Sequence, residues 1–280
     1  MRRRLVVAFC LFAFVAQASA QEFDVPTLRG TSPFIPAPPP TYQRWDGFYA
    51  GGHAAYGSSG MDFGEATGDL IAFILRETTI EQEMGVSNWS LLGKKTVSGF
   101  GGGAFVGYNV QFENTVFGID ATYTRMKLSG SASDAIGRQF ETSDDYNNQV
   151  EITGTAALTI KDVFTLRGRA GLALGRFLPY ATLGAAFGLA DYSRSVTVRT
   201  QGTYVGDNDP PLPPYGPTFD VSSASKKNMV IYGYSAGLGT EVAINPQVFA
   251  RGEWEYVQFL GPQNIDAYVS MLRGGVGVRF

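Results

Sequence analysis

The feature that most constrains this chain is an apolar–polar alternation with a period of two residues. It recurs in eight segments and runs to the last residue. In the closing stretch MLRGGVGVRF, Leu272, Gly274, Val276, Val278 and Phe280 share one side of an extended strand, and Arg273, Gly275, Gly277 and Arg279 share the other. Successive strand residues point to opposite faces, so one face is apolar and the other carries guanidinium groups. A half-buried sheet in water fits that pattern, and so does a strand with lipid outside and a polar lumen inside.

Seven earlier segments repeat it, at about 47–58, 97–112, 115–128, 158–175, 179–198, 228–244 and 247–260. Phe48, Ala50, Gly52, Ala54 and Tyr56 are expected on the apolar face of the first. In the second, Phe100, Ala104, Val106, Tyr108, Val110 and Phe112 oppose a run of glycines; the GFGGGAFVG stretch lacks the lysine and following helix of a phosphate-binding loop. Glu113-Asn114, Gly175-Arg176-Phe177-Leu178 and Asn245-Pro246 read as tight turns. The other connections, about 59–96, 129–157 and 199–227, read as long loops, with 148–157 open to extending the fourth strand above the membrane, and that near 261–265 as a brief one. Long loops gathered at one end and short turns at the other are the sidedness of an outer-membrane barrel. The expected fold is all-β: an eight-stranded antiparallel up-and-down transmembrane barrel with long extracellular loops. Its last strand must pair with its first, because unpaired backbone in lipid costs several kcal/mol per group, at roughly the scale of a lost hydrogen bond in an apolar medium.

The N-terminus supports export. Arg2, Arg3 and Arg4 precede the apolar run LVVAFCLFAFVA, and Ala18-Ser19-Ala20 fits a cleavage site, so residues 1–20 read as a signal peptide. Cys10, the only cysteine, lies within it, leaving no disulfide or thiol chemistry beyond. Residues 21–46, with Pro26, Pro33, Pro36, Pro38, Pro39 and Pro40, read as a stiff periplasmic linker, and 47–280 as the barrel domain. Without the three leader arginines the chain carries a net charge of about −6. An acidic chain with no basic stripe argues against a nucleic-acid partner.

Few residues carry candidate chemistry. The alternation places Asp120, Arg167, Arg169, Glu241, Arg251, Glu253, Glu255 and Arg273 toward the lumen, with Arg279 near the periplasmic rim. An eight-stranded barrel is just wide enough for side chains to fill it, and buried charges must be paired. The eight residues therefore read as a structural charge network; an ion path is the alternative. His53, the only histidine, is expected to face inward. Ser58 or Ser59 near the outer rim is the nearest nucleophile sequence can offer it, and no cofactor or metal set is apparent. In the first loop, Leu70, Phe73 and Ile74 recur at helical spacing after Asp69, predicting a short helix over 69–84, N-capped by Asp69, against the barrel mouth. The segments 131–147 and 206–217 read as solvated loop and rigid proline-rich excursion, the latter without the glycine and glutamate of a calcium loop.

The stretches WDGFYAGGHAAYG, TLRGRAGLALGRFLPYATLGAAFG and GGVGVRF resemble the small outer-membrane barrel proteins of alphaproteobacteria, among them surface antigens of Brucella and haemin-binding barrels of Bartonella, distantly akin to the OmpA-like membrane domain. The resemblance spans about 45–280 and leaves the loops uncovered. It implies that Leu272, Val276, Val278 and Phe280 form the terminal signal read by the barrel-assembly machinery. Together these readings give a non-catalytic monomer in the outer membrane, in contact with lipid and lipopolysaccharide. Its expected role is envelope integrity and surface contact, through loops that meet a host or environmental ligand. A narrow diffusion channel or a haem- or ligand-binding surface protein is the alternative.

Overall fold

The computed structural model describes residues 43–207, 210–261 and 265–280. The expected leader (1–20), the linker as far as residue 42, and Asn208 and Asp209 of the proline-rich segment lie outside the described residues. Eight strands follow in order: β1 (Gly47–Asp62), β2 (Lys94–Phe112), β3 (Thr115–Glu141), β4 (Tyr146–Leu172), β5 (Phe177–Tyr204), β6 (Tyr215–Ala243), β7 (Val248–Phe259) and β8 (Asp266–Arg279). They form a closed antiparallel ring. The seam pairs β1 with β8 from Tyr49↔Arg279 to Asp62↔Asp266. Beyond it, the Phe280 N–H donates to the Phe48 carbonyl at 2.9 Å. The ring thus has no open edge at its seam, as closure in lipid requires.

The short turns fall where sequence placed them, except that Phe177 and Leu178, expected in the second turn, already belong to β5. Glu113 takes a positive φ of 52° and Gly175 one of 63°. The Asn245 side chain accepts from the N–H groups of Gln247 (2.9 Å) and Val248 (2.7 Å). The opposite end differs from expectation. The segments expected as long loops, 129–157 and 199–227, are mostly strand. β3 and β4 have 27 residues each, β5 has 28 and β6 has 29, whereas β7 has 12 and β8 has 14. About 10 residues suffice to cross a bilayer, so these four strands continue well past it as a four-stranded sheet. The stretch 131–141, read as solvated loop, belongs to β3, and the β3–β4 connection is only Thr142–Asp145. Sequence missed this because Ser, Thr, Asp and Gly line the outward side there, facing water. The inward alternation of Val150, Ile152, Ala156, Leu158 and Ile160 is intact, and all five are buried.

The apolar inner face of that extension is covered by the β1–β2 connection. The predicted single helix is instead two: α1 (Gly68–Ile74) and α2 (Thr79–Met84). The break falls where the Thr78 hydroxyl accepts from the Glu81 N–H at 3.2 Å and so starts a second helix. Asp69 is not the cap that was expected. Thr67 occupies the α1 N-cap, and Asp69 receives both arms of Arg194 on β5, at 2.7 Å each. Phe63, Ala66, Ile71 and Val86 are fully buried and share a core with Val150, Ile152, Leu158, Val196 and Val198. Phe73 points out to solvent. The far side of the cap is tied to the β3–β4 turn, where Glu83 accepts from the Ser143 N–H (3.1 Å) and Thr79 donates to Asp144 (3.2 Å).

Two outcomes are expected here. Arg194→Ala removes a bidentate clamp of about 1–2 kcal/mol, since Asp69 is half exposed; limited proteolysis of the folded barrel should then cut within 63–93 several times faster than in the parent. Donation from the Thr142 hydroxyl, then from Thr79, holds the Asp144 carboxyl below its ordinary value against slight desolvation. A depressed carboxylate contributes above its unfolded pKa of about 3.9 and is lost as pH falls through the folded value. NMR titration should therefore place the Asp144 midpoint below 3.9, and Thr142→Ala should move it back up.

Candidate functional site: a filled lumen with a central ion lattice

The interior is stratified along the barrel axis. At the turn end sit Trp45, Tyr49, Phe105, Val116, Leu178, Ala243 and Phe249 as one buried cluster. Trp45 was assigned to the linker by sequence, yet it is fully buried, with its backbone N–H donating to the Gln111 side chain at 2.7 Å. The barrel's packing thus begins ahead of residue 47. Arg279 lies over the Trp45 ring, 4.2 Å from its centroid, and donates to the Arg44 carbonyl at 2.7 Å. Gly51 and Gly107 make room for this layer: a methyl on the first would overlap the Phe105 ring, and on the second the Tyr49 ring. At the opposite end, Met61, Met126, Leu128, Ile160, Val163, Ile231, Val257, Phe259, Val269 and Met271 are buried and continuous with the cap. The expectation of a polar lumen holds only for the middle.

All eight sequence-predicted lumen residues lie in that middle layer, each at most 7% exposed. Four are basic and four acidic. Register explains three of the eight ion pairs, because Asp120 stands opposite Arg167, Glu241 opposite Arg251 and Glu253 opposite Arg273 on adjacent strands. Arg273–Glu255 joins the same two neighbouring strands, and the other four pairs span non-adjacent strands. Arg167 on β4 reaches Glu253 (2.6 Å) and Glu255 (3.0 Å) on β7 as well as Asp120 (2.5 Å). Arg169 reaches Glu241 at 2.9 Å, Arg251 reaches Asp120 at 2.9 Å and Glu241 at 2.7 Å, and Arg273 reaches Glu253 (2.6 Å) and Glu255 (2.5 Å). Every charge therefore has an opposite charge within bonding distance, and the lattice is neutral.

Neutral partners that sequence reasoning did not single out complete it. Tyr49 donates to Asp120 (2.8 Å), Tyr180 to Glu253 (2.7 Å) and Thr122 to Asp120 (2.7 Å). Arg251 stacks 3.9 Å from the Phe105 centroid and Arg169 4.0 Å from that of Tyr180. Tyr49 and Tyr180 alternate in phase with the lumen-facing residues of their strands, which was the available signal. His53 faces inward as expected. Its Nε2 lies 3.0 Å from the Thr124 hydroxyl, so its partner is neither Ser58 nor Ser59. The void beside it, bordered by Phe105, Arg251, Glu253 and Arg273, measures about 10 Å³, at most the room for a single water. Leu272 (63% exposed), Val276, Val278 and Phe280 (82%) point outward.

An apolar outer wall, an ion-paired interior and a closed ring define an integral β-barrel of the outer membrane. The chain belongs to the family of the outer membrane protein beta-barrel domain, whose model matches residues 6–280. A curated relative, the 22 kDa outer membrane protein of Rhizobium leguminosarum bv. viciae, is 25% identical over 244 residues, covering 84% of this chain and 78% of the relative. Among solved structures, Ail of Yersinia pestis aligns with a TM-score of 0.32 at 14% identity, over 84% of this chain and 99% of Ail. Neisserial surface protein A aligns at 0.35 and 15%, over 83% and 97%. OprG of Pseudomonas aeruginosa aligns at 0.34 and 10%, over 84% and 96%. The protein is an outer-membrane barrel.

Removing one lattice member strands several others. Arg167→Met should cost about 3–5 kcal/mol, because Asp120, Glu253 and Glu255 all lose a partner where water cannot replace it. Urea unfolding in phospholipid vesicles, followed by tryptophan fluorescence, measures the loss. Arg167→Met with Asp120→Asn should lose less than the sum of the two single changes.

Proposed function

We propose that this protein is a non-catalytic, structural and surface-facing element of the outer membrane, presenting a rigid extracellular sheet on a barrel that does not conduct. The observation that supports this reading most strongly is the filled lumen. Three filled layers follow one another: an aromatic base, a neutral ion lattice and an apolar upper plug continuous with the cap. A conducting pore needs a wetted passage with sites weak enough to leave. Here each charged group is locked to oppositely charged partners on neighbouring or facing walls.

The lone histidine fits the same reading. It sits beside a void too small for a substrate, hydrogen-bonded to a threonine. The eight lumen residues then act as a crossbrace that holds opposite walls together, and the outward Leu272, Val276, Val278 and Phe280 supply the lipid contact of the seam and the face offered to the barrel-assembly machinery. Contact with a host or environmental ligand falls to the outer halves of β3–β6 and to the cap.

Planar-bilayer recording of refolded protein tests this. The parent should give no reproducible unitary current steps, whereas a variant lacking the cap and carrying Arg167→Ala and Glu253→Ala should leak. Steady unitary steps in the parent, abolished by changing Arg167 or Glu253, would sink the closed-barrel reading and install the diffusion-channel alternative.

A further inference from the structure

The outward face of the barrel changes character along one line. Tyr123, Phe164, Phe187 and Tyr232 stand side by side on β3, β4, β5 and β6, through the pairings Tyr123↔Phe164, Phe164↔Phe187 and Phe187↔Tyr232. All four are exposed and together form an aromatic row of the kind found at a membrane–water interface. Just above it the ladder is irregular on every one of these strands. Register shifts fall between Arg125 and Leu128, between Ile160 and Asp162, and between Ala190 and Tyr192. Asn228 takes a positive φ of 52° at the same level. On β4 the irregularity leaves two consecutive residues, Lys161 and Asp162, off the buried side, and on β6 it leaves Lys227 and Asn228 opposite the single Asp191; the outward residues at this level are charged: Arg125, Lys127, Lys161, Asp162, Asp191 and Lys227.

The two acids in this belt already have partners. Asp162 accepts from the Tyr123 hydroxyl at 2.6 Å. Asp191 accepts from Lys161 at 2.6 Å and from the Asn228 N–H at 2.8 Å. Arg125, Lys127 and Lys227 are exposed and form no salt bridge among the described residues. A chain with more acids than bases thus keeps an excess of cations on four adjacent strands, at the height where its lipid-facing wall gives way to its water-facing sheet. At that boundary the dielectric is low on one side, so a cation attracts an anion more strongly than it would in bulk water.

We infer that the bulge line on β3–β6 is a docking belt for a phosphate-bearing lipid headgroup of the outer leaflet, with Arg125, Lys127 and Lys227 as its cationic contacts and Tyr123 and Phe164 against the adjoining acyl chains. The lipid is the occupant, rather than a free anion, because the cations sit directly over the aromatic row and not in a cavity. The belt also gives the β4 bulge a role: it turns two consecutive side chains outward at headgroup height, so Lys161 and Asp162 both face away from the buried Ile160 and Val163.

The test uses full-length protein refolded into phosphatidylcholine nanodiscs and titrated with bisphosphorylated lipid A or its dephosphorylated form, with native mass spectrometry counting bound lipid. The parent should bind the bisphosphorylated form at least about tenfold more tightly, and the triple variant R125Q/K127Q/K227Q should lose that preference; each membrane-surface cation is worth about fivefold. K94Q/K95Q, on β2 away from the belt, should keep it. Heat-modifiable gel mobility confirms folding, and K127Q/K227Q serves if the triple variant fails that check. Retention of the preference by the folded belt variants, or equal loss in K94Q/K95Q, overturns the assignment. Competition by millimolar inorganic phosphate would show a general anion site and overturn the lipid as occupant.

Discussion

Everything in this molecule follows from the need to pair backbone N–H and C=O groups in a medium that offers no partners. A sheet meets that need only by closing on itself. Closure fixes the strand number as even when both ends of the barrel domain lie on the same side, and it decides that one residue in two faces lipid. The β1–β8 seam is where this constraint is most demanding, since the residues that meet there, Tyr49 and Arg279 at one end and Asp62 and Asp266 at the other, are more than 200 positions apart in the chain. Until they pair, both strands present open edges to lipid.

A closed ring of eight strands leaves an interior that must be filled, and this chain fills it with three different materials. Bulky aromatics opposite glycines close the base. Four arginines and four carboxylates occupy the middle, where stabilisation depends on complete pairing: the desolvation of each ion is offset only because facing walls supply its counter-ions. Methionine and branched aliphatic side chains take over above, and the β1–β2 connection extends that apolar layer out of the membrane. The same interior that would admit water in a wider barrel is here a core in the ordinary sense, and the proposed non-conducting, surface-facing role rests on that filling.

Strand number, turn positions, the seam and the phase of every lumen charge were legible in the sequence, because each depends on a local pattern of period two or on a short turn. Asp120 and Arg167, or Glu253 and Arg273, could be assigned to one interior from alternation alone. Their cross-lumen partners could not, since those depend on strand tilt and on which wall faces which. The long loops were misread for a definite reason. Past the membrane the outward residues of β3 change from aromatic to Ser and Gly, so β3 loses the lipid signature while keeping its ladder. The inward run from Val150 to Ile160 still marked the strand; what sequence could not show was the surface burying it. That surface, the cap, is made by a segment joining other strands, and its broken helix follows from a threonine N-cap at position 78 rather than from hydrophobic spacing.

The cap has a bearing on how the ring holds its shape. Residues 63–93 belong to the hairpin that forms one side of the seam, yet they bury themselves against β4 and β5 across the mouth. Docked on the β4–β5 wall, this segment ties a strand beside the seam to the wall across from it. The segment that blocks the mouth is thus also a strut between the two sides of the ring.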